Sequence, residues 1–177
     1  RQAVEMLVDA IGAADLDSGG TVLAGVDADE LYEGAVTVVM RLVFLLAAEE
    51  RRLLPGDDDF YIANYGIAGL ADRLIDTGQA AGEDLLARQA SAFPQILAAT
   101  RLVHDGVRHP RLSIKGYGGS VFDPDRYPWL EGRQPGGPGV PPRVDDRTML
   151  HIFTGLTRWQ GRRLAYRTLD VEQIGYV

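Results

Sequence analysis

Apolar residues recur every three or four positions along the first hundred or so residues, and that rhythm fails near Arg108. The strongest periodic stretch runs from Asp27 to Pro55. Asp27 followed by Glu30 has capping-box spacing, in which each side chain can satisfy a backbone N–H at the start of a helix. Behind it, Leu31, Ala35, Val38, Leu42 and Leu45 share one face, and Val36, Val39, Val43 and Ala47 fill the next. A helix apolar on nearly every side belongs inside a bundle. The pattern therefore predicts a central helix from Leu31 to Leu54, stopped by Pro55-Gly56 with Arg51 and Arg52 at its negative end. Arg41 interrupts the apolar run, which falls short of the roughly 20 uninterrupted residues a membrane span needs.

Other segments follow the same logic. Val4, Leu7, Val8 and Ile11 predict an amphipathic helix over Arg1 to Ala14, with a loop from Asp15 to Ala24. Phe60, Tyr61, Tyr65, Ile67, Leu70, Leu74 and Ile75 predict one helix ending near Thr77-Gly78. The aspartates at 57, 58 and 59 before it read as dipole-complementing caps rather than as a metal site. Gly82 to Val107 reads as a fourth helix, kinked or broken near Ala92 by Pro94. Residues 108–143 then read as an ordered loop whose aromatics need something to bury against, followed by a flexible linker, Gly132 to Pro142, with four glycines and four prolines. Asp145-Asp146 caps a further helix carrying Met149 to Trp159 and ended by Gly161. A short strand over Arg163 to Leu169 and a newly capped helix from Asp170 complete the pattern. A chain stopping there is expected to continue, so residues 164–177 read as a lead-in to a further domain. The fold expected is mainly α: one domain over 1–177, an irregular helical bundle around a central apolar helix, with at most a short strand pair near the C-terminus.

Composition sharpens this picture in two places. The chain has no cysteine, which removes disulfide scaffolds and cysteine-ligated zinc. With no signal-peptide pattern at its start, a cytoplasmic location is expected. The net charge of −7 is unevenly spread, −11 over residues 1–100 and +4 over residues 101–177. The first part should repel a phosphate backbone, and the second can tolerate one.

Catalytic constellations are hard to assemble. The spacing of His104 and His109 does not place them on one helical face, Ser120 lacks the x-Gly that follows a nucleophile elbow, and Phe122-Asp123-Pro124-Asp125 reads as a turn. Tyr117-Gly118-Gly119 lacks the strand–glycine–helix setting of a cofactor loop. No residue is assigned here to catalysis, cofactor or metal.

Four stretches carry a resemblance: MRLVFLLAAEERRLLP at Met40–Pro55, YGGSVFDPDRYPWLEG at Tyr117–Gly132, the helix opening VDDRTML at Val144, and YRTLDVEQIGYV at Tyr166–Val177. Together they resemble the region before the catalytic domain of large bacterial adenine-specific DNA methyltransferases. These include the type II, IIG-like restriction–modification enzymes, some fused to a restriction endonuclease, and methyltransferases of BREX and DISARM phage defence. The resemblance implies a non-catalytic accessory domain that positions a downstream methyltransferase domain and borders the DNA. S-adenosylmethionine would be the donor in the parent enzyme, and double-stranded DNA and the parent's own methyltransferase domain the partners, with no membrane involved. The family's Asn/Asp-Pro-Pro-aromatic motif and its Gly-rich cofactor turn do not occur in this chain. The DNA-contact candidates are the arginines in and beside the irregular segments: Arg126, Arg133, Arg143, Arg158, Arg162, Arg163 and Arg167. The alternative is a protein–protein docking module of a phage-defence complex, with Tyr117, Phe122, Tyr127 and Trp129 as interface anchors.

Overall fold

Asp27 caps as its spacing implies: its carboxylate accepts from the Glu30 backbone N–H at 2.8 Å and opens helix α2, Ala28–Glu50. In this computed structural model, which describes residues 1–159 and 162–163, α2 ends four residues short of Leu54. The Leu53 N–H reaches the Ala48 carbonyl and the Arg52 N–H that of Glu49, a Schellman turn with Arg52 at φ 57 in its left-handed position. Leu54 then turns inward and is buried.

α1 runs Gln2–Asp17, three residues past Ala14, and lays Val4, Leu7, Ile11 and Ala14 on the core. The expected third helix is two, α3 (Asp59–Asn64) and α4 (Ile67–Ala81), parted at Gly66. A Cβ there would lie 2.9 Å from the Ile62 backbone, so the break admits no side chain. Asp58 accepts from the Tyr61 N–H at 2.8 Å, so this member of the acidic triplet is a cap. The fourth helix also divides, into α5 (Glu83–Leu86) and α6 (Ala92–Asp105), with Pro94 in the first turn of α6, where its missing N–H is not needed. α7 spans Asp146–Thr157, begun by the Asp145 carboxylate accepting from the Thr148 N–H at 2.7 Å.

The fold is mainly α with a short strand pair near the C-terminus, as expected, and a second short pair lies further upstream. Within the stretch read as loop, β1 (Gly106–His109) and β2 (Leu112–Lys115) form an antiparallel hairpin with Val107 opposite Ile114. At the other end, β3 (Arg158–Trp159) pairs with β4 (Arg162–Arg163), so Trp159 lies outside the helix expected to carry it. The expected strand beyond Arg163, the helix from Asp170 and the lead-in over 164–177 lie outside the described residues.

One hydrophobic core runs through the described residues. α2 packs on α1 and α4, while α7 packs on α1, α4, α5 and α6. Helices thus enclose α2 on two sides, and a third is walled by residues 117–132, including the short 3₁₀ turn Pro128–Glu131. α2 is also the one helix among the described residues long and apolar enough to cross a membrane, yet 56% of its most apolar window is buried inside the protein.

Gly132–Pro142 is not a linker between separate units. The chain packs into the same core on both sides of it, at Leu130 and Val144. Gln134, within the run, is buried and donates to the Val22 carbonyl at 2.7 Å. Gly132 adopts φ +68 where a Cβ would collide with the Val140 carbonyl.

Candidate functional site

The residues that interrupt the apolar pattern of α2 fall on one face of it. Glu33, Gly34, Thr37, Arg41 and Phe44 recur at helical spacing, and residues 117–132 lie against them. Gly34 leaves room for the Trp129 indole, whose Cζ2 would stand 2.4 Å from a Cβ at that position. Glu33 accepts from the Tyr127 hydroxyl at 3.2 Å. Phe44 meets the Phe122 ring edge-on at 6.4 Å. Arg41, 3% exposed, donates from Nε to the Val121 carbonyl at 2.6 Å and from Nη2 to the Asp123 carbonyl at 2.9 Å. Burial lowers its pKa, while Glu131 and Asp123 act in the opposite sense. The arginine that breaks the hydrophobic run is therefore the polar anchor of a long loop.

Glu131 is the second organising group. Arg101 approaches it with two nitrogens, Nε at 2.7 Å from Oε1, and Arg133 adds a bond at 2.8 Å. Burial pushes this carboxyl up, but the hydrogen bonds and charges of the two arginines outweigh it and hold it below the usual range.

Two more carboxylates are shielded from solvent, Asp146 fully and Glu49 in part, and both close helix ends. Glu49 accepts from the Tyr61 hydroxyl at 2.9 Å and from the Ile67 and Ala68 N–H groups at 2.7 and 2.8 Å, capping α4 from the end of α2. Burial raises its pKa, against the pull of these three donors. Asp146, 1% exposed, accepts from the Ser91 hydroxyl and the Ala92 N–H, both at 2.8 Å, capping α6 from the start of α7. A buried acid in a cleft is an obvious candidate for catalysis. Here each is held by donors that a helix terminus must satisfy.

The histidines are apart: His104 pairs with Asp105, His151 with Glu83, and His109 accepts from the Arg111 N–H. No group of three His, Asp or Glu side chains that could hold a metal occurs among the described residues.

The interface candidates separate into two pairs. Trp129 and Tyr127 are buried in the chain's own core, and only Tyr117, 62% exposed, and part of Phe122 face outward. Three DNA-contact candidates are engaged internally. Arg133 pairs with Asp125 and Glu131, Arg143 donates to the Arg88 carbonyl, and Arg126 stacks on the Tyr127 ring at 5.3 Å. The β3–β4 register sets Arg158 opposite Arg163 and, one step along the ladder, Trp159 opposite Arg162. Arg167 lies outside the described residues. Gly34 and Glu33 are loop-docking positions that the apolar pattern does not single out. The available signal is a glycine and two charges at helical spacing inside an apolar helix.

Beside the docked loop lies a groove of about 400 Å³ lined by Tyr32, Val36, Met40, Val121, Arg126 and Tyr127 among others. Tyr32 and Met40 stand about two turns apart on one face of α2 and are 54% and 39% exposed. The site can hold a loop and present a surface; its geometry supplies no nucleophile with an adjacent base. Comparison of the chain with family models, curated proteins and solved structures gives no match.

Proposed function

We propose that the chain is a non-catalytic helical accessory domain of an adenine-N6 DNA methyltransferase of the restriction–modification type, positioning the catalytic domain and bordering DNA. The reading is supported most by how two of the four resembling stretches meet. Met40–Pro55 and Tyr117–Gly132 are far apart in sequence, yet Arg41 holds the carbonyls of Val121 and Asp123, Phe44 meets Phe122, and the Tyr117 hydroxyl reaches the Leu53 carbonyl. A third stretch, opening at Val144, ties α7 to α6 through Asp146. A resemblance scattered over separate stretches gains weight when those stretches form one packed unit. S-adenosylmethionine and the methyl transfer would belong to the parent's catalytic domain, in the cytoplasm, and the arginines of β3–β4 would lie toward the DNA.

The test compares the parent enzyme with the 177-residue chain, each incubated with S-adenosylmethionine and adenine-containing duplex. The parent should methylate adenine N6 and the chain alone should not. In the parent, Arg162→Ala with Arg163→Ala should weaken DNA binding equally across sequences and lower the salt slope by roughly one unit for each phosphate no longer neutralised. Transfer by the isolated chain, or none by the parent, overturns the reading.

One observation favours the docking alternative, the groove flanked by exposed Tyr32 and Met40. Under that reading Met40→Glu abolishes assembly of the complex and leaves DNA affinity unchanged.

A further inference from the structure

The cations of this chain are not equally engaged. Arg41 is buried on backbone carbonyls, Arg101 and Arg133 are neutralised by Glu131 and Asp125, and Arg143 holds a carbonyl. The side chains of Arg108 and Lys115, by contrast, make no hydrogen bond or ion pair among the described residues. Both belong to the β1–β2 hairpin, and its register places them on one side. Val107 pairs with Ile114 on the side turned to the core. Arg108 pairs with Ser113 and Gly106 with Lys115 on the other side, where Arg108, Ser113 and Lys115 are all exposed. Arg108 and Lys115 are thus diagonal neighbours, about 7–8 Å apart at the backbone, with Ser113 opposite the first and two residues before the second on the same face. Leu112 and Ile114 are buried, and both strands pack on α6, so the two cations stand on a fixed ladder.

The surroundings favour an anion. No Asp or Glu occurs from Gly106 to Phe122. The flanking acids, Asp105 and Asp123, stand outside the ladder, one on either side of this segment, and are held by His104 and by the Asp125 N–H. Beyond Lys115, Gly118 and Gly119 sit at φ +62 and +89 with open space where a Cβ would be, which lets a bulky polymer approach the backbone. Arg111, at the turn, stacks on Phe60 at 4.7 Å next to the exposed Asp59 and is left out of the set.

We propose that this outer face of the β1–β2 hairpin contacts the phosphate backbone of duplex DNA, with Arg108 and Lys115 on neighbouring phosphates and the Ser113 hydroxyl donating to one of them. The proposal rests on the reading of the domain as a DNA-bordering element, and it adds a contact separate from β3–β4. The ladder positions of this face, Gly106, Arg108, Ser113 and Lys115, carry no apolar side chain to anchor a protein partner or to enter a bilayer. It reads no bases, because contacts to phosphate carry no sequence information.

The test is fluorescence anisotropy of the 177-residue chain with labelled duplexes of two unrelated sequences, titrated across salt. Weak binding is expected for a chain of net charge −7. Arg108→Ala with Lys115→Ala should reduce affinity about tenfold at low salt and the salt slope by about two units, alike for both sequences. Arg108→Lys with Lys115→Arg should retain both. Unchanged thermal melts check that the exposed substitutions leave the fold intact. If this double alanine variant binds with unaltered slope while Arg162→Ala with Arg163→Ala weakens binding, the hairpin proposal is wrong and the DNA-bordering reading stands. Absence of duplex binding at the lowest salt, or the same residues serving anionic vesicles better than duplex, overturns the proposal. Failure of the parent methylation assay, with hairpin binding intact, instead overturns the methyltransferase reading.

Discussion

Gly34→Ala sets two effects of known size against each other. Glycine inside a helix is less favourable than alanine by about 1 kcal/mol, so on propensity alone the substitution stabilises α2. The structure opposes this. The new Cβ would lie 2.4 Å from Cζ2 and 3.0 Å from Cη2 of Trp129, a rigid ring with 0% exposure and no route to rotate outward. Overpacking of this kind costs about 1–3 kcal/mol, and a backbone-fixed methyl against a fused ring belongs at the upper end. The net expectation is a loss of about 1–2 kcal/mol, read as a fall in Tm of about 2–8 °C for a chain of this size. Gly12→Ala is the control, because it lies in α1 with nothing within 4 Å of its Cβ; it should hold or raise Tm.

A double-mutant cycle with Trp129→Phe locates the strain. Phenylalanine lacks the second ring that carries Cζ2, and since Trp129 Nε1 has no hydrogen-bond partner, the change removes no hydrogen bond. In that background Gly34→Ala should become neutral or stabilising, a coupling of about 1–3 kcal/mol by chemical denaturation. If Gly34→Ala raises Tm as Gly12→Ala does, or behaves identically with and without the indole, the docking of Trp129 on α2 is wrong.

Leu42→Ala, at a fully buried position on α2, should cost about 2–5 kcal/mol in urea unfolding; an unchanged midpoint would mean that α2 is peripheral. Glu49→Ala strands the Ile67 and Ala68 N–H groups and the Tyr61 hydroxyl, and should cost about 2–4 kcal/mol, with fast amide exchange appearing first at the start of α4. Because the folded state holds the Glu131 carboxyl below its usual range, the stability it contributes is complete above about pH 4.5 and is lost as pH falls through the lowered value. The Tm difference between wild type and Glu131→Gln should therefore shrink on acidification; a gap constant from neutral to acid pH would show that the Arg101–Glu131–Arg133 cluster contributes nothing.

What is legible in the sequence is local. The Asp27 and Asp58 caps, the tolerance of Pro94 only near a helix start, and the apolar faces of α1, α4 and α7 depend on neighbours within a turn or two, and the pattern reports them directly. The break at Gly66 is hidden because Tyr65, Ile67 and Leu70 keep helical spacing across it. The β1–β2 hairpin is hidden for a different reason. Each strand has four residues, only Leu112 and Ile114 alternate cleanly, and the turn at Pro110-Arg111 lacks the Asn-Gly or Asp-Gly signature. Asp146 reads in sequence as starting its own helix, whereas its carboxylate closes one 54 residues earlier.

Arg41 explains why the candidate surfaces are harder to see than the helices. In sequence it argues against a membrane span, and the Tyr117–Trp129 aromatics stand as groups in search of a partner. Folding joins these facts: the guanidinium takes up loop carbonyls that would otherwise lack donors inside the protein, and so fixes the loop with Trp129 and Tyr127 turned inward. An aromatic-rich irregular segment is an interface only if its own chain offers no place for the rings, and here Gly34 makes that place. The same competition decides among the arginines. Arg126 and Arg133 lie on this loop, where acids and a ring are already within reach, so their exposure is a poor guide to their availability. Arg108 and Lys115 stand on a hairpin whose outer face offers them only Ser113 and glycine. Cations denied an internal partner keep their charge for an external one, which is why the DNA contact proposed beside β3–β4 lies on the hairpin and not on the aromatic loop.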